Sequence, residues 1–354
     1  MTTTDRARVR EAVATPGDGA RPETWLRYAR EVTDPVLREA VSTLHEQARN
    51  VVGYHLGWWD GQGRPVSAGW GKAVRPALAL LAARAVGGRP EVAADAAAAV
   101  QLAHDSSLLH DDIIDRDDTR RHRPTAWRVF GIPGALLAGD AMLTLAVSLT
   151  QRADPGARSA AALNEAVQQF IGGQLEDMAF EGRADVSLSE CTTMAARKTG
   201  ALIGVACRLG ALAAGADEAR AASLDAFGRA LGLAFQHVDD LLGIWGDPEL
   251  TGKPAGADLH ARKKSLPVVA ALTAGGPESA ELADRYARDP ALDDAETLRR
   301  TADLVERAGG RSASADSARR YLFEALRHLD DARPPESAGR PLRALARWLV
   351  DRDH

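Results

Sequence analysis

Hydrophobic side chains recur every three or four residues along most of this chain, and the strict alternation of apolar and polar residues that marks a half-buried strand is scarce. Alanine and leucine, which both favour helices, are abundant. Longer helices are predicted over residues 34–54, 71–87, 91–116, 134–150, 156–180, 189–213 and 216–245, and shorter ones over 265–274, 295–308, 315–330 and 339–351. We therefore expect an all-α fold.

The segments between the predicted helices are short and rich in turn-forming residues, as at 87–90, 131–134 and 275–277. None is long enough to serve as a linker between domains. A length of 354 residues leaves the number of domains open, because a single helical domain can reach this size. We expect a flexible leader over residues 1–21 and one domain over residues 22–354.

The most apolar stretch of the chain runs from Val129 to Leu149. It contains Pro133, Gly134 and Asp140, which a lone membrane-spanning helix would carry poorly. We interpret this stretch as a loop followed by a buried helix, and we expect no transmembrane segment.

Composition and charge restrict the classes of ligand. Hydrophobic residues make up 45% and charged residues 26% of the chain, as in a globular protein with a sizeable core. The formal net charge of -5 provides no basic field for nucleic acid, so an anionic ligand would need local basic clusters. The two cysteines, Cys191 and Cys207, have neither metal-ligand spacing nor a disulfide pattern. Because the N-terminus also lacks the apolar core of a secretory signal, we expect a cytoplasmic location.

Two acidic side chains lie near the end of the helix predicted over residues 91–116. Asp111 and Asp115 are four residues apart, so they lie one turn apart on the same helix face, where like charges repel. Apolar neighbours such as Leu109 and Ile113 imply a partly buried segment, in which uncompensated carboxylates are costly. A bound cation would relieve this cost, and oxygen ligands favour a hard ion such as Mg²⁺. Taken alone, the motif also fits a solvated acidic helix end.

A second acidic pair, Asp239-Asp240, lies in the apolar run of the helix predicted over residues 216–245. Two acidic helices that face each other across a bundle would build one deep central cavity with carboxylates at its mouth. Basic residues follow both motifs: Arg120 and Arg121 after the first, and Lys253, Lys263 and Lys264 after the second. This combination predicts a metal-bridged polyanion such as a diphosphate, which becomes a good leaving group once its charge is neutralised. Surface salt bridges at helix ends are the alternative.

A separate basic pair opens the helix predicted over residues 71–87. Lys72 and Arg75 are three residues apart and share a helix face. His104 lies two turns before Asp111, on roughly the same face. Taken alone, these residues also fit a basic helix start at the surface and a hydrogen-bonded core histidine.

Together these segments resemble the trans-isoprenyl diphosphate synthase (polyprenyl synthetase) family, from about Gly71 to Lys264. The matching elements are Gly71-Lys72 with Arg75-Pro76, His104, Leu109-His110-Asp111-Asp112 with Asp115, Arg120-Arg121 with Pro124-Thr125, Gly139-Asp140, Gly173-Gln174 with Asp177, Lys198-Thr199, Gln236 with Asp239-Asp240, Thr251-Gly252-Lys253, Asp258 and Lys263. So many motifs in one order make the resemblance specific.

The resemblance implies an all-α bundle of the isoprenoid synthase type, usually a homodimer, that joins isopentenyl diphosphate to an allylic diphosphate. It implies Mg²⁺ as cofactor, about three ions per active site, held by Asp111, Asp115 and Asp239. Lys198, Thr199 and Gln236 would stabilise the allylic cation. By position, the residues that would hold the allylic diphosphate are Arg120, Lys198, Lys253 and Lys263, and those that would hold the isopentenyl diphosphate are Lys72, Arg75, His104 and Arg121.

One position departs from the family pattern. The second acidic motif often has a third acid where this chain has Gly243. Asp247, four residues further on, is a candidate replacement. We expect metal binding through Asp239 and leave the outer contact open.

The resemblance also bears on product length. In the family, the residues four and five positions before the first acid often form the floor of the product cavity. Here they are Ser107 and Ser106, both small, and Leu102 lies one turn deeper than Ser106. Leu102 is therefore a candidate floor of the product cavity. A floor at this depth favours geranylgeranyl diphosphate as the product, with farnesyl or somewhat longer diphosphates open.

Two other functional classes could also contain these acidic and basic motifs. A class I terpene cyclase also ionises a prenyl diphosphate with acidic helices and Mg²⁺, and a non-catalytic subunit could bind and regulate another synthase. A cyclase has no chemical need for a second diphosphate pocket. The residues assigned to isopentenyl diphosphate therefore favour chain elongation.

Overall fold

The computed structural model describes residues 14–66, 69–154, 156–247, 256–288 and 294–351, and these are predominantly helical, which confirms the all-α prediction. The helices are α1 (Pro22–Ser42), α2 (Glu46–His55), α3 (Val74–Ala85), α4 (Ala94–Ile114), α5 (Ala126–Ala153), α6 (Arg158–Glu181), α7 (Leu188–Ala195), α8 (Ala201–Ala213), α9 (Glu218–Trp245), α10 (Ala257–His260), α11 (Leu266–Thr273), α12 (Pro277–Arg288), α13 (Ala295–Arg307), α14 (Gly310–Asp331) and α15 (Glu336–Val350).

Three short elements connect these helices. A 3₁₀ turn, Pro90–Ala93, leads into α4, and a π-helical turn, Ala196–Gly200, joins α7 to α8. Between α4 and α5, strand β1 (Thr119–Arg120) pairs antiparallel with β2 (Arg123–Pro124). The resulting hairpin carries the two arginines that follow the first acidic motif.

The helix predicted over residues 34–54 is two helices. α1 begins at Pro22, where proline is favoured because its φ is preset and its missing N–H is not needed. It ends at Ser42, and α2 begins at Glu46. The break between them contains neither glycine nor proline, so the sequence carried no stop signal there.

The most apolar stretch is not a loop followed by a buried helix. Helix α5 runs through it, with one non-helical residue, Gly131 (φ 78°, ψ 161°), just before Pro133. One face is buried, whereas Ile132 and Leu137 on the other face are 52% and 63% exposed. Among the described residues, α5 is the one helix long and apolar enough to cross a membrane, and 33% of its most apolar window is buried.

The chain forms two compact units. Unit 1 comprises Met1–Val167, Val205–Asp225 and Leu329–Leu345, and unit 2 comprises Gln168–Gly204, Ala226–His328 and Ala346–His354. The single domain over residues 22–354 stays a prediction. Part of the predicted leader is described. It contacts the rest of unit 1 through a hydrogen bond of 2.8 Å from Thr15 Oγ1 to Glu91 Oε1 and through an ion pair between Asp18 and Arg84.

Small side chains build the core of unit 1. Leu80 of α3 and Ala98 of α4 have no exposed surface. Short side chains let helix backbones approach closely. One such close approach involves Gly210 of α8, where an added Cβ would lie 2.0 Å from the carbonyl oxygen of Ala79.

The described residues of unit 2 include two hydrophobic clusters. Val268 of α11 and Leu304 of α13 lie in one, and Cys191 and Met194 of α7 lie in the other. Both cysteines of the chain are free and buried, as expected for small apolar residues.

Replacing Gly210 with alanine should destabilise unit 1, because the new methyl group meets backbone rather than a movable side chain. We expect the free energy of unfolding to fall by about 1–3 kcal/mol in urea denaturation. The matched control is Gly172→Ala in α6, where nothing lies within 4 Å of the added Cβ. The control should be about 0.5–1 kcal/mol more stable than the wild type. Equal stabilities for the two variants would contradict the packing argument.

Candidate active site

The first acidic motif lies at the end of α4 in unit 1. The Asp115 backbone N–H donates to the Asp111 carbonyl oxygen at 2.8 Å, which keeps the two residues one helical turn apart. Asp111 is half-buried and Asp115 is exposed. The predicted pair of metal ligands therefore shares one accessible face of unit 1.

Asp112, between these two acids, points into the protein. Its side chain is 1% exposed, and its Oδ1 accepts a hydrogen bond from Arg120 Nε of strand β1 at 2.6 Å. Burial raises the pKa of the Asp112 carboxyl, and the charge of Arg120 opposes this shift. Its buried Oδ2 has no hydrogen-bond partner among the described residues.

Asp105, two turns earlier on α4, has no exposed side-chain surface. Its Oδ2 accepts a hydrogen bond from Gln101 Nε2 at 2.6 Å, and its Oδ1 lies 3.2 Å from His55 Nε2 and 3.4 Å from Arg121 Nη2. Burial alone would raise the pKa of Asp105. The hydrogen bond with His55 and the charge of Arg121 outweigh burial and hold this pKa well below its usual range, so Asp105 is an anion.

The residues assigned to isopentenyl diphosphate also lie in unit 1. Burial, with the charges of Arg75 and Arg121 adding to it, lowers the pKa of His104 well below 6.5, so its imidazole is neutral at pH 7. Gly71 adopts a positive φ of 109°, and a Cβ there would lie 3.3 Å from Arg121 Nη2. The backbone at Gly71, next to Lys72, thus lies close to the guanidinium of Arg121.

In unit 2, the π-helical turn between α7 and α8 carries Lys198 and Thr199. Turns of this kind are frequent at functional sites. Helix α6 packs against the turn at Gly173, where a Cβ would lie 2.6 Å from the Lys198 backbone nitrogen. Lys198 Nζ donates to Asp177 Oδ2 at 2.6 Å.

A chain of hydrogen bonds connects this turn to the second acidic motif. The Thr199 hydroxyl donates to the side-chain oxygen of Gln236, and Gln236 Nε2 donates to Asp240 Oδ1 at 2.7 Å. The other oxygen of Asp240 accepts from the Leu266 backbone N–H at 2.8 Å. Asp240 is buried, whereas Asp239, the predicted metal ligand, is exposed.

Lys263 lies among the acids of unit 2. Burial alone would lower its pKa, but the negative charges of Asp240, Asp258, Asp177 and Asp239 outweigh burial and raise it, so Lys263 stays protonated. Burial also raises the pKa of Asp240 to about 7, against the opposing charge of Lys263. The predicted diphosphate ligand Lys253 lies outside the described residues.

The position that departs from the family pattern is filled by another acid. A Cβ added at Gly243 would lie 2.3 Å from Asp258 Oδ2. The carboxylate of Asp258 therefore occupies the space where a side chain at position 243 would begin. Asp247, the candidate replacement, is exposed.

The donor atoms of both motifs suit a hard cation. Among the described residues, no three or more His, Cys, Asp or Glu side chains are grouped closely enough to hold a metal. Mg²⁺ needs only one or two carboxylates when water and substrate phosphates complete its shell. In unit 1 the accessible carboxylates of Asp111 and Asp115, and in unit 2 that of Asp239, are of the kind that such an ion takes.

Sequence reasoning missed Asp105, and it quoted Asp112 as part of the first acidic motif without giving it a role. A signal was present, because an acid inside an otherwise apolar helix must be paired or hydrogen-bonded. The partner could not be read from the sequence, since Arg120 and Arg121 reach α4 only through the β1–β2 hairpin.

This all-α chain carries accessible aspartates on long helices and basic side chains in the β1–β2 hairpin and the π-helical turn, which are the features predicted for a prenyl transferase. The polyprenyl synthetase family model matches residues 64–306, and the chain belongs to this family. Enzymes of the family act on isopentenyl diphosphate and allylic diphosphates, and this chain is accordingly a prenyl transferase.

Named relatives cover nearly the whole chain. It is 46% identical to the (2E,6E)-farnesyl diphosphate synthase of Mycobacterium tuberculosis strain H37Rv over 92% of each chain. It is 44% identical to the geranylgeranyl diphosphate synthase of the same strain, over 87% of this chain and 88% of that one. The crystal structure of a polyprenyl synthetase from Streptomyces coelicolor A3(2) superposes with a TM-score of 0.87 at 44% identity, over 92% of this chain and 99% of that one.

His237, next to Gln236, has a structural environment that makes stability depend on pH. It is buried, its Nδ1 lies 2.7 Å from Ser314 Oγ, and its ring stacks on Tyr321. Burial, with the charge of Arg320 adding to it, lowers the pKa of His237 to about 4.

Because the unfolded chain binds this proton near pH 6.5, the contribution of His237 to stability is complete above that pH and is lost as the pH falls towards about 4. We expect the wild type to lose about 2 kcal/mol more stability between pH 7 and pH 5 than His237→Gln does, as measured by urea unfolding. The same pH dependence in both proteins would show that His237 titrates normally.

Proposed function

We propose that this prenyl transferase condenses isopentenyl diphosphate with an allylic prenyl diphosphate, head to tail and with Mg²⁺, to give geranylgeranyl diphosphate. The observation that carries the proposal is the basic cluster of unit 1, in which His104 lies in the field of Arg75, Arg120 and Arg121. A cyclase acting on one diphosphate has no need for so many cations beside its first acidic motif. The cluster therefore favours elongation over the class I terpene cyclase alternative.

In this proposal, Asp111, Asp115 and Asp239 hold Mg²⁺, about three ions per active site. Bound Mg²⁺ would neutralise diphosphate oxygens and so make the allylic diphosphate a better leaving group. Arg120, Lys198, Lys253 and Lys263 hold that diphosphate. The isopentenyl diphosphate is held by Lys72, Arg75, Arg121 and the neutral imidazole of His104, which donates a hydrogen bond without adding charge.

The reaction exchanges one bond for another. The C1–O bond of the allylic substrate breaks, the double bond of isopentenyl diphosphate attacks C1, and the released diphosphate accepts the proton that is lost. Gln236 and Thr199 stabilise the transient allylic cation through their dipoles. The hydrogen bonds that join Gln236 to Thr199 and Asp240 support this role, because they fix the amide before the charge develops.

The length of the product depends on α4 in this proposal. Ser106 and Ser107 are small and buried, and Leu102 has no exposed surface one turn deeper. In this proposal the small serines would leave room for the growing chain near the acids, and Leu102 would be the first bulky side chain below them. Relatives named as farnesyl and as geranylgeranyl diphosphate synthases are similarly identical to this chain in sequence. The proposal of the longer product therefore rests on Ser106, Ser107 and Leu102.

We also propose a cytoplasmic homodimer. The exposed apolar side chains of α5 in unit 1, among them Ile132, Leu136 and Leu137, support a second copy as the partner of this face. The two free, buried cysteines suit a reducing compartment. A monomer mass in sedimentation equilibrium at micromolar concentration would contradict the dimer.

The function is tested by incubating the purified protein with Mg²⁺, isopentenyl diphosphate and, separately, five-, ten- and fifteen-carbon allylic primers, with mass spectrometry of the products. We expect a twenty-carbon diphosphate and no product with EDTA. Asp111→Asn and Asp239→Asn should each lower kcat on the order of 100-fold or more. The control Asp303→Asn, an exposed acid of α13, should leave kcat unchanged. A cyclic hydrocarbon, or no product from any primer, would reject elongation.

Product length should follow the bulk of the α4 side chains. Ser106→Phe should shorten the main product from twenty to fifteen or ten carbons, because a ring would fill the space below the acids. Leu102→Ala should lengthen it, because the floor moves about one turn deeper. Chromatography of the dephosphorylated products measures both changes. Unchanged products in both variants would place the floor elsewhere.

A further inference from the structure

Two buried carboxylates on α4 each contact a different one of two adjacent arginines. Asp105 and Asp112 are seven residues apart, so they lie on the same helix face two turns apart. Arg120 contacts Asp112 at 2.6 Å, and Arg121 contacts Asp105 at 3.4 Å. Arg121 (φ 52°) and the following His122 (φ 59°) both adopt left-handed backbone conformations in the hairpin that presents these side chains.

We propose that Asp105 is a positioning residue that holds Arg121 for the isopentenyl diphosphate, while Asp112 holds its neighbour Arg120 for the allylic diphosphate. This inference rests on the proposed function and deepens it. Without separate anchors, two neighbouring guanidinium groups could exchange places or bind the same anion. The two carboxylates would thus keep the two diphosphate groups apart.

The burial of each pair supports this division. The carboxylates of Asp105 and Asp112 are 0% and 1% exposed, whereas the side chains of Arg121 and Arg120 are 30% and 28% exposed. Each arginine therefore meets an inaccessible anion and still presents surface to solvent. A guanidinium has five N–H donors, so one that is anchored through a single donor keeps others for phosphate oxygens.

Asp105 is itself held rigidly. Gln101 from the same helix and His55 from α2 both contact its carboxylate, which leaves little freedom of rotation. A buried ion pair is weak support for stability, because desolvation offsets the attraction. A rigid anion beside a partly accessible arginine instead suits the orientation of that arginine before substrate binds.

The test compares Asp105→Asn with Asp112→Asn in the full-length enzyme with Mg²⁺, by varying each substrate in turn while the other is saturating. Asp105→Asn should raise the KM for isopentenyl diphosphate about tenfold or more and leave the KM for the allylic diphosphate within about twofold. Asp112→Asn should show the opposite pattern. The matched control is Asp154→Asn, since Asp154 is also a nearly buried carboxylate beside an arginine, Arg158, in unit 1. It should lower the melting temperature without changing either KM.

A double-mutant cycle keeps the proposal testable if Asp105→Asn folds poorly. The double variant Asp105→Asn/Arg121→Gln removes both charges of the pair, so neither is left unpaired. If Asp105 acts through Arg121, the KM of this variant for isopentenyl diphosphate should equal that of Arg121→Gln alone. Additive effects would overturn the proposal, as would equal increases of both KM values in Asp105→Asn. If the wild type elongates normally in these assays, such results reject the positioning role alone, whereas a wild type that makes no elongated product rejects the proposed function.

Discussion

A carboxylate buried away from water is stable only beside a cation or several hydrogen-bond donors, and this constraint organises both units of the protein. In unit 1, Asp105 and Asp112 meet Arg121 and Arg120. In unit 2, Asp240 meets the Gln236 amide and the Leu266 backbone N–H, with the charge of Lys263 nearby. The buried acids fix basic and amide groups, while Asp111, Asp115 and Asp239 remain accessible. A site for a metal-bound polyanion needs both kinds of acid, one to orient its cations and one to bind its metal.

Much of the fold could be predicted because apolar periodicity follows directly from burying one face of a helix. The long helices α4, α6 and α9 lie close to their predicted bounds. The break between α1 and α2 could not be predicted, since no glycine or proline marks it. The exposed face of α5 was also missed, because hydrophobicity predicts burial but does not say whether the same chain provides the cover. The one-turn helix α10 and the largely polar α12 are too short or too polar for the apolar pattern to find.

The candidate site was predictable where its chemistry lies on one helix and less so where it depends on contacts between segments. The spacing of Asp111 and Asp115 was enough to place them on one face. Their neighbours Asp105 and Asp112 gained a role only when the hairpin brought Arg121 and Arg120 to them. From the sequence, Gly243 was interpreted as the loss of an acid. In the structure, the Asp258 carboxylate lies where a side chain at position 243 would begin. This contact joins residues fifteen positions apart in different elements, so helical periodicity could not predict it. Periodicity thus predicts which side chains share one face of a helix, whereas the partners of those side chains depend on tertiary contacts.

In the proposed function, metal and diphosphate bind together through these acidic and basic groups. This joint binding is tested most directly by isothermal titration of inorganic diphosphate into the wild-type protein, with millimolar Mg²⁺ or with EDTA. Mg²⁺ should tighten diphosphate binding about tenfold or more, and by linkage diphosphate should tighten Mg²⁺ binding by the same factor. Equal diphosphate affinity with and without the metal would show that the two do not bind together.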